Sequence, residues 1–430
     1  MTRTFQAAAA GDIDESDLGQ ACGDGGDRGA SGLSRRSFAR LLGAGAAAAV
    51  GGAGLASTAP ARAADWAPAA LGTWLRAPRG AALQGVPAAG AAKGTAGAVV
   101  RLSANENPYG PSPAAFDAMR EAFGVANRYP DEQVTALTED IARLHGVDAA
   151  QVLLGAGSSE ILNLAAVAFT GPGRPAVAAE PSFESLPRHA RRHGAETLAV
   201  PLAADFRHDL PKMLAAAPDP GLLYVCNPNN PTATITPKAD LRALLGKAPE
   251  RTLVLVDEAY FHFVDSDDFE TVIPLVAAHP NLLVTRTFSK IYGMAGMRCG
   301  YAVAQAAVIS RLRDHQAFDS VNVLALAAAR ASLRDADYVS RGRRLNREVR
   351  TAVCGELDRL GFAFIPSSAN FMMIDLRRPV APVIRELRQH NVDVGREFPA
   401  LPRHLRVTIG TADQMQAFLA AFGQVVAGRG

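Results

Sequence analysis

The sequence predicts an α/β protein, with a large domain on a mostly parallel seven-stranded sheet and a smaller α+β domain after it. Three observations carry that expectation. From Gln151 onward, short apolar runs alternate with turns and helical patterns, the rhythm of a parallel sheet covered on both faces. A long charged helical stretch from about Asp335 to Leu360 interrupts the alternation, and a shorter one follows it. Polar motifs stand where the apolar runs end, and parallel sheets bind ligands just beyond those carboxyl ends.

Size and composition agree with that class. The chain has 430 residues, 48% apolar and 20% charged, enough for more than one packed core. Forty-four basic and 42 acidic residues leave a net charge of +2, so no broad electropositive surface is available for nucleic acid. Small ligands are the expected partners.

In chain order, the first hundred residues are rich in Ala and Gly and show no sustained period before about Val99. Ser34, Arg35, Arg36, Ser37, Phe38 and Arg40 form a twin-arginine pattern, followed by a weakly apolar run at 41–59 and by Ala61, Arg62 and Ala63 before Ala64. Basic region, apolar region and small-residue site, in that order, predict an export signal over residues 1–63, cleaved after Ala63. The expectation is a periplasmic or otherwise exported protein that engages the twin-arginine export machinery. The alternative is an Ala-rich leader with a chance Arg pair. Gly43, Gly45, Gly51, Gly52 and Gly54 dilute the apolar run, so no stable membrane anchor is expected.

Residues 64–100 read as a linker or N-terminal arm with Trp66 and Trp74 as its large anchors, and 101–125 as an arm that joins the small domain. Residues 126–335 form the large domain and 336–430 the small one. Strands are predicted at 152–154, 176–179, 197–200, 222–226, 253–256, 282–285 and 300–303. Helices are predicted at 159–169, at 238–245 with Thr236 as cap and Pro237 in the first turn, and at 306–313. Strands near 370–374 and 405–409 belong to the small domain. Of the four cysteines, Cys22 lies in the leader, and Cys226, Cys299 and Cys354 are odd in number and irregularly spaced. They read as free thiols, with Cys226 and Cys299 as small core residues.

Four segments at strand ends carry the chemistry. Asp257, followed by Glu258, Ala259 and Tyr260, ends an apolar strand, where a desolvated carboxylate needs a cationic partner to stay ionised. Thr287, Phe288, Ser289 and Lys290 precede Gly293, Gly296 and Arg298. A lysine in such a loop becomes nucleophilic when its surroundings depress its pKa, and the hydroxyls and Arg298 make a phosphate cradle. Asn227, Pro228, Asn229, Asn230, Pro231 and Thr232 form a rigid loop that can aim an amide at a ligand. Gly155, Ala156, Gly157, Ser158, Ser159 and Glu160 form a Gly-rich turn into a helix whose first amides accept a phosphate.

In this order the segments resemble fold type I pyridoxal-phosphate enzymes, the class I/II aminotransferases, and most closely their histidinol-phosphate aminotransferase branch, over about residues 102–422. The resemblance implies pyridoxal 5'-phosphate as cofactor, Lys290 as its Schiff-base lysine and proton shuttle, and Asp257 as partner of the pyridine nitrogen. It implies Asn230 and Tyr260 at the ring hydroxyl, and Phe183, where the family usually has Tyr, stacked on the ring. Ser158, Ser159, Ser289, Thr287 and Arg298 would hold the phosphate, with Tyr129 reaching the cofactor phosphate of a neighbouring subunit in a homodimer. Arg406, with Arg396 as a second cation, would clamp the substrate's oxyanion, and Asn107, within residues 103–108, and Asn370 would be further substrate-side positions. The implied reaction is transamination between an amino acid or amino alcohol phosphate and a 2-oxo acid such as 2-oxoglutarate. Twin-arginine export moves folded proteins, which suits an enzyme loaded before it leaves, yet histidine synthesis is a cytoplasmic pathway. Ala233 departs from the pattern, standing where the family has Gly, and would be strained if φ there is positive.

Two other readings compete. A lyase or decarboxylase would use the same cofactor site, because the bond broken depends on substrate orientation. A non-catalytic exported binding protein would retain the fold alone. His189 and His193, four apart beside Arg188, Arg191 and Arg192, read as a solvated basic face, and no metal site is expected. Arg341, Arg343, Arg344, Arg347 and Arg350 likewise read as an exposed helix face.

Overall fold

The computed structural model describes residues 98–427. The twin-arginine segment, its cleavage site and residues 64–97 lie outside the described residues. Seven strands form one sheet in the order β2-β8-β7-β6-β5-β3-β4. They are β2 (Val152–Gly155), β3 (Ala176–Glu180), β4 (Thr197–Pro201), β5 (Leu222–Cys226), β6 (Leu253–Asp257), β7 (Leu282–Thr287) and β8 (Gly300–Ala304). All seven match predicted strands to within two residues at either end. Strand β8 runs antiparallel to both β7 and β2, and every other pairing is parallel.

The sheet is legible because it is buried on both sides. Leu223 and Val225 of β5, with Val254 and Val256 of β6, join one core cluster, while Leu222, Tyr224, Leu253 and Leu255 join the other. Alternate residues thus face opposite layers, and continuous apolar runs result. The topology gathers the motifs. Strands β3, β5, β6 and β7 end on one edge, and antiparallel β8 begins there, with Thr287 opposite Gly300 and Gly155 opposite Gly300 on the other side.

The remaining strands are short. β1 (Val100–Leu102) pairs in parallel with β11 (Val392–Val394), and β10 (Phe371–Asp375) lies between β9 (Phe364–Ile365) and β12 (His404–Thr408), antiparallel to both. A 24-residue helix, α9 (Ala336–Arg359), leads into this part and α11 (Ala412–Ala427) ends it. Leu102, Leu357, Ile374, Leu405, Val407, Phe418 and Phe422 form its core.

Two expectations are corrected. Helix α6 (Lys238–Lys247) has Pro237, not Thr236, at its cap. Asn227 holds the Thr236 backbone, accepting from its N–H at 2.9 Å and donating to its carbonyl at 3.2 Å, while the Thr236 hydroxyl meets His208. Arg350 is not on an exposed face. It is buried and paired with Asp265 at 2.8 Å. The face of α4 (Ser185–Arg192) that bears Arg188, His189 and Arg192 is exposed at Arg188 and Arg192, as expected, and it also lines the large cavity. Cys226 and Cys299 are buried free thiols, as expected.

Ala233 does adopt a left-handed conformation, with φ +61°. It is fully buried in the main core cluster, so its methyl group offsets part of the roughly 1–2 kcal/mol that this geometry costs an L-residue.

Beneath the sheet edge lies a buried ion pair. Arg286 donates to one Glu258 oxygen from Nε at 3.0 Å and Nη2 at 2.8 Å, and the carboxylate also accepts from Thr271 and from the Val272 amide. The guanidinium stacks 3.5 Å above the Phe261 ring. Glu258→Ala is expected to lower stability by about 3 kcal/mol, because it strands a buried guanidinium. Urea unfolding of the variant checks this, and a loss under 1 kcal/mol would show that the pair is dispensable.

Candidate active site

At the carboxyl edge of the sheet a cavity of about 530 Å³ opens, large enough for a cofactor and a small substrate together. Its walls include Ser158, Ser159, Phe183, Asn230, Asp257, Tyr260, Thr287, Ser289, Lys290, Arg298, Arg396 and Arg406. Twelve predicted site residues are therefore brought together. They are delivered by the ends of β2, β3, β5, β6 and β7 and the loops that follow them, by the loop after β11, and by β12 itself.

Asp257 ends β6 and is 2% exposed. Its oxygens accept from the Tyr224 hydroxyl at 3.1 Å and the Ala259 amide at 3.2 Å. Burial nevertheless pushes its carboxyl up to about 6, only partly opposed by those hydrogen bonds and by the charge of Lys290. A carboxylate held this way gains from a cation beside it. Lys290 follows β7 and donates from Nζ to the Asn105 carbonyl at 3.2 Å, with the amine 5.4 Å from the Tyr260 ring centre. Enclosure, then the positive charge of Arg406, brings its pKa down to about 8.

The far end of the cavity is built for a phosphate. Gly157, at φ +80°, caps α3 (Ser158–Phe169), whose first amides have no intrahelical acceptor. A Cβ on Gly157 would stand 2.3 Å from the Arg298 guanidinium, and one on Gly300 would stand 2.5 Å from the Ser158 amide nitrogen. Only glycine permits this approach. Glu160 fixes the turn by accepting from the Ala156 amide at 2.6 Å and from Ser320. Thr287 donates to Ser289 at 2.8 Å, and Arg298 reaches Ser289 at 3.4 Å.

Arg406 stands on β12 and donates to Asn230 at 2.8 Å and to the Ser103 carbonyl at 2.7 Å, while its Nε is buried without a partner. Burial holds its pKa below the usual arginine value. Arg396 lies over Phe398 and pairs with Glu184 at 2.6 Å.

Three predicted residues lie elsewhere. Asn107 is corrected as a cavity residue. Its side chain donates to the Ile291 carbonyl at 2.7 Å and accepts from the Tyr109 amide, and Asn105 is the asparagine of this loop that lines the cavity. Asn105, at φ +55°, donates to the Tyr260 hydroxyl and presents its carbonyl to Lys290. Asn370 stands behind it, donating to the Asn105 and Glu106 carbonyls. Tyr129 is 81% exposed and outside the cavity of its own chain. Sequence reasoning missed Ser182, Cys226 and Phe398 on the wall, along with the α4 face. Among the described residues no cluster could hold a metal ion.

These residues fit pyridoxal phosphate: a desolvated acid for the pyridine nitrogen, an amine with a lowered pKa, and a glycine-lined anion cradle. The chain belongs to the class I and II aminotransferases, whose family pattern matches residues 98–422. It is a pyridoxal-phosphate-dependent aminotransferase of fold type I. Over 326 residues, 75% of this chain and 89% of the relative, it is 44% identical to histidinol-phosphate aminotransferase of Symbiobacterium thermophilum. It is 42% identical over 333 residues to histidinol-phosphate aminotransferase 2 of Pseudomonas aeruginosa, covering 77% of this chain and 90% of that one. The crystal structure of histidinol-phosphate aminotransferase from Sinorhizobium meliloti with pyridoxal-5'-phosphate matches with a TM-score of 0.73 and 28% identity, over 77% of this chain and 92% of that one.

One consequence concerns pH. An amine adds to an aldehyde only in its free form, so reaction of cofactor-free protein with pyridoxal phosphate at Lys290 is expected to speed up as pH rises to about 8 and level off above it. Stopped-flow absorbance would follow this, and a rise continuing to pH 10 would show that the amine is not perturbed.

Proposed function

We propose that this enzyme transaminates an amino alcohol phosphate of the histidinol phosphate type, with 2-oxoglutarate as the amino acceptor. One observation carries the reading. The paired cations Arg406 and Arg396 close the substrate end of the cavity, with a buried, unpartnered Arg406 Nε suited to an oxyanion. The names of the relatives point to the same donor.

Pyridoxal phosphate supplies the electron sink for the carbon that carries the amine. In our reading Asp257 keeps the ring nitrogen protonated, while Asn230 and Tyr260 orient the ring hydroxyl and Phe183 covers the ring face. Ser158, Ser159, Thr287, Ser289 and Arg298 hold the phosphate. With the cofactor bound, the Lys290 amine would move the proton to and from the substrate carbon. Purified enzyme offered histidinol phosphate, aromatic amino acids and aspartate should turn over histidinol phosphate most efficiently. Preference for an amino acid lacking phosphate would overturn the donor assignment, and release of carbon dioxide would point to a lyase.

Two coarser features belong to the same proposal. The exposure of Tyr129 suits a hydroxyl that serves the cofactor phosphate of a second subunit, so we expect a homodimer by light scattering and weaker cofactor retention in Tyr129→Phe. The twin-arginine pattern supports export. Replacing Arg35 and Arg36 together by Lys should retain the protein in the cytoplasm, and unchanged fractionation would remove that part of the reading. Among the described residues no helix is long and apolar enough to cross a membrane.

A further inference from the structure

Helix α4 begins directly after β3 and the ring-side residue Phe183, so one of its faces must look along the cavity. Ser185, Arg188, His189 and Arg192 occupy that face, at the spacing that aligns side chains on one side of a helix, and all four line the cavity. Leu186 and Ala190 face the core instead. Arg191, in the same helix, does not reach the cavity wall.

The charge on this wall is poorly compensated. Glu184 is its acid, and its carboxylate is shared between Arg396 at 2.6 Å and Arg188 at 3.4 Å. Arg192 forms no ion pair among the described residues. His189 is held below its usual pKa by burial and then by Arg192, His193 and Arg188, with no acid opposing them. Deeper in the cavity, Asp257 faces Lys290, and Arg298 belongs to the phosphate cradle. Arg188 and Arg192 are thus left over once the cofactor and the Arg406 oxyanion site have been assigned. A cationic wall whose one carboxylate is shared between two arginines attracts an anionic ligand group.

We infer that the Arg188–His189–Arg192 face is a subsite for a second, distal oxyanion of the substrate, namely the far carboxylate of a dicarboxylic 2-oxo acid. This rests on the transaminase reading above and adds a specificity determinant to it. The Arg406 end takes the oxyanion near the reacting carbon, and the α4 face takes the other.

The test compares 2-oxoglutarate with 2-oxopentanoate, which has the same chain length and no distal carboxylate, in the holoenzyme, an Arg188→Gln/Arg192→Gln double variant and an Arg191→Gln control. The ratio of kcat/KM values, 2-oxoglutarate over 2-oxopentanoate, is expected to fall about tenfold in the double variant, the size suited to solvent-exposed charge pairs. It should stay put in the control. A binding arm needs no turnover: titration of the cofactor absorbance band with glutarate should weaken in the double variant, while butyrate should not discriminate. A ratio that holds in the double variant, or falls equally in the control, overturns the subsite. A rise in KM confined to the phosphorylated donor would assign the face to the donor's phosphate and overturn the carboxylate assignment. If wild-type enzyme binds the cofactor and transaminates without discrimination, the subsite alone fails. If it transaminates nothing, the function reading fails and the subsite falls with it.

Discussion

Lys290→Ala is expected to leave a folded protein that transaminates about 10⁴-fold more slowly, the upper range for loss of a positioned proton-transfer group. The amine sits within reach of the Asn105 carbonyl and over the Tyr260 ring. No other described amine lines the cavity. Stability should move little or rise slightly, because burial already disfavours the charged amine. The variant should bind pyridoxal phosphate reversibly, without the absorbance band of a covalent adduct, and dialysis should remove the cofactor. Added ethylamine should restore part of the rate by entering the space vacated by the side chain. A variant that keeps the covalent band, or loses less than tenfold in rate, would assign the attachment to another residue.

How much of this was legible depended on where each residue obtains its structure. Strands β5 to β8 are buried on both faces, so each contains an apolar run, shortened in β7 to 282–284 ahead of Thr285, Arg286 and Thr287, and the motifs that follow them are local. Strands β1, β9 and β11 are two or three residues long and exist through distant partners, as Val100 does through Val392. No local period can announce them. The choice between Asn105 and Asn107 was illegible for a similar reason. Both lie in one loop, and bonds to the distant residues Thr408, Asn370 and Lys290 select Asn105. On α4, sequence showed the basic face but not its direction, which depends on how β3 delivers the helix to the cavity. Arg350 was misread because its partner, Asp265, is 85 residues away.

Asp257→Asn is expected to retain the cofactor but lose about 10³-fold in kcat, comparable to removing a preorganised electrostatic partner of a developing charge. Asn keeps the shape and can still contact Tyr224, but it has no charge with which to keep a pyridine nitrogen protonated. The cofactor-free protein separates this role from a structural one. Asp257 has a raised folded-state pKa, about 6, so between its unfolded value near 4 and about 6 the folded state binds more protons than the unfolded one. Stability therefore falls as pH rises through that window and remains lower above it, by on the order of 3 kcal/mol. Asn removes this dependence. Cofactor-free Asp257→Asn should unfold at a higher temperature than the parent at pH 8, with the gap narrowing towards pH 4. Bound pyridoxal phosphate should reverse the order, because a protonated ring nitrogen compensates the carboxylate and not the amide. A variant less stable than the parent at pH 8 without cofactor would mean that Asp257 serves the fold, and the pairing with the ring nitrogen would lose its support.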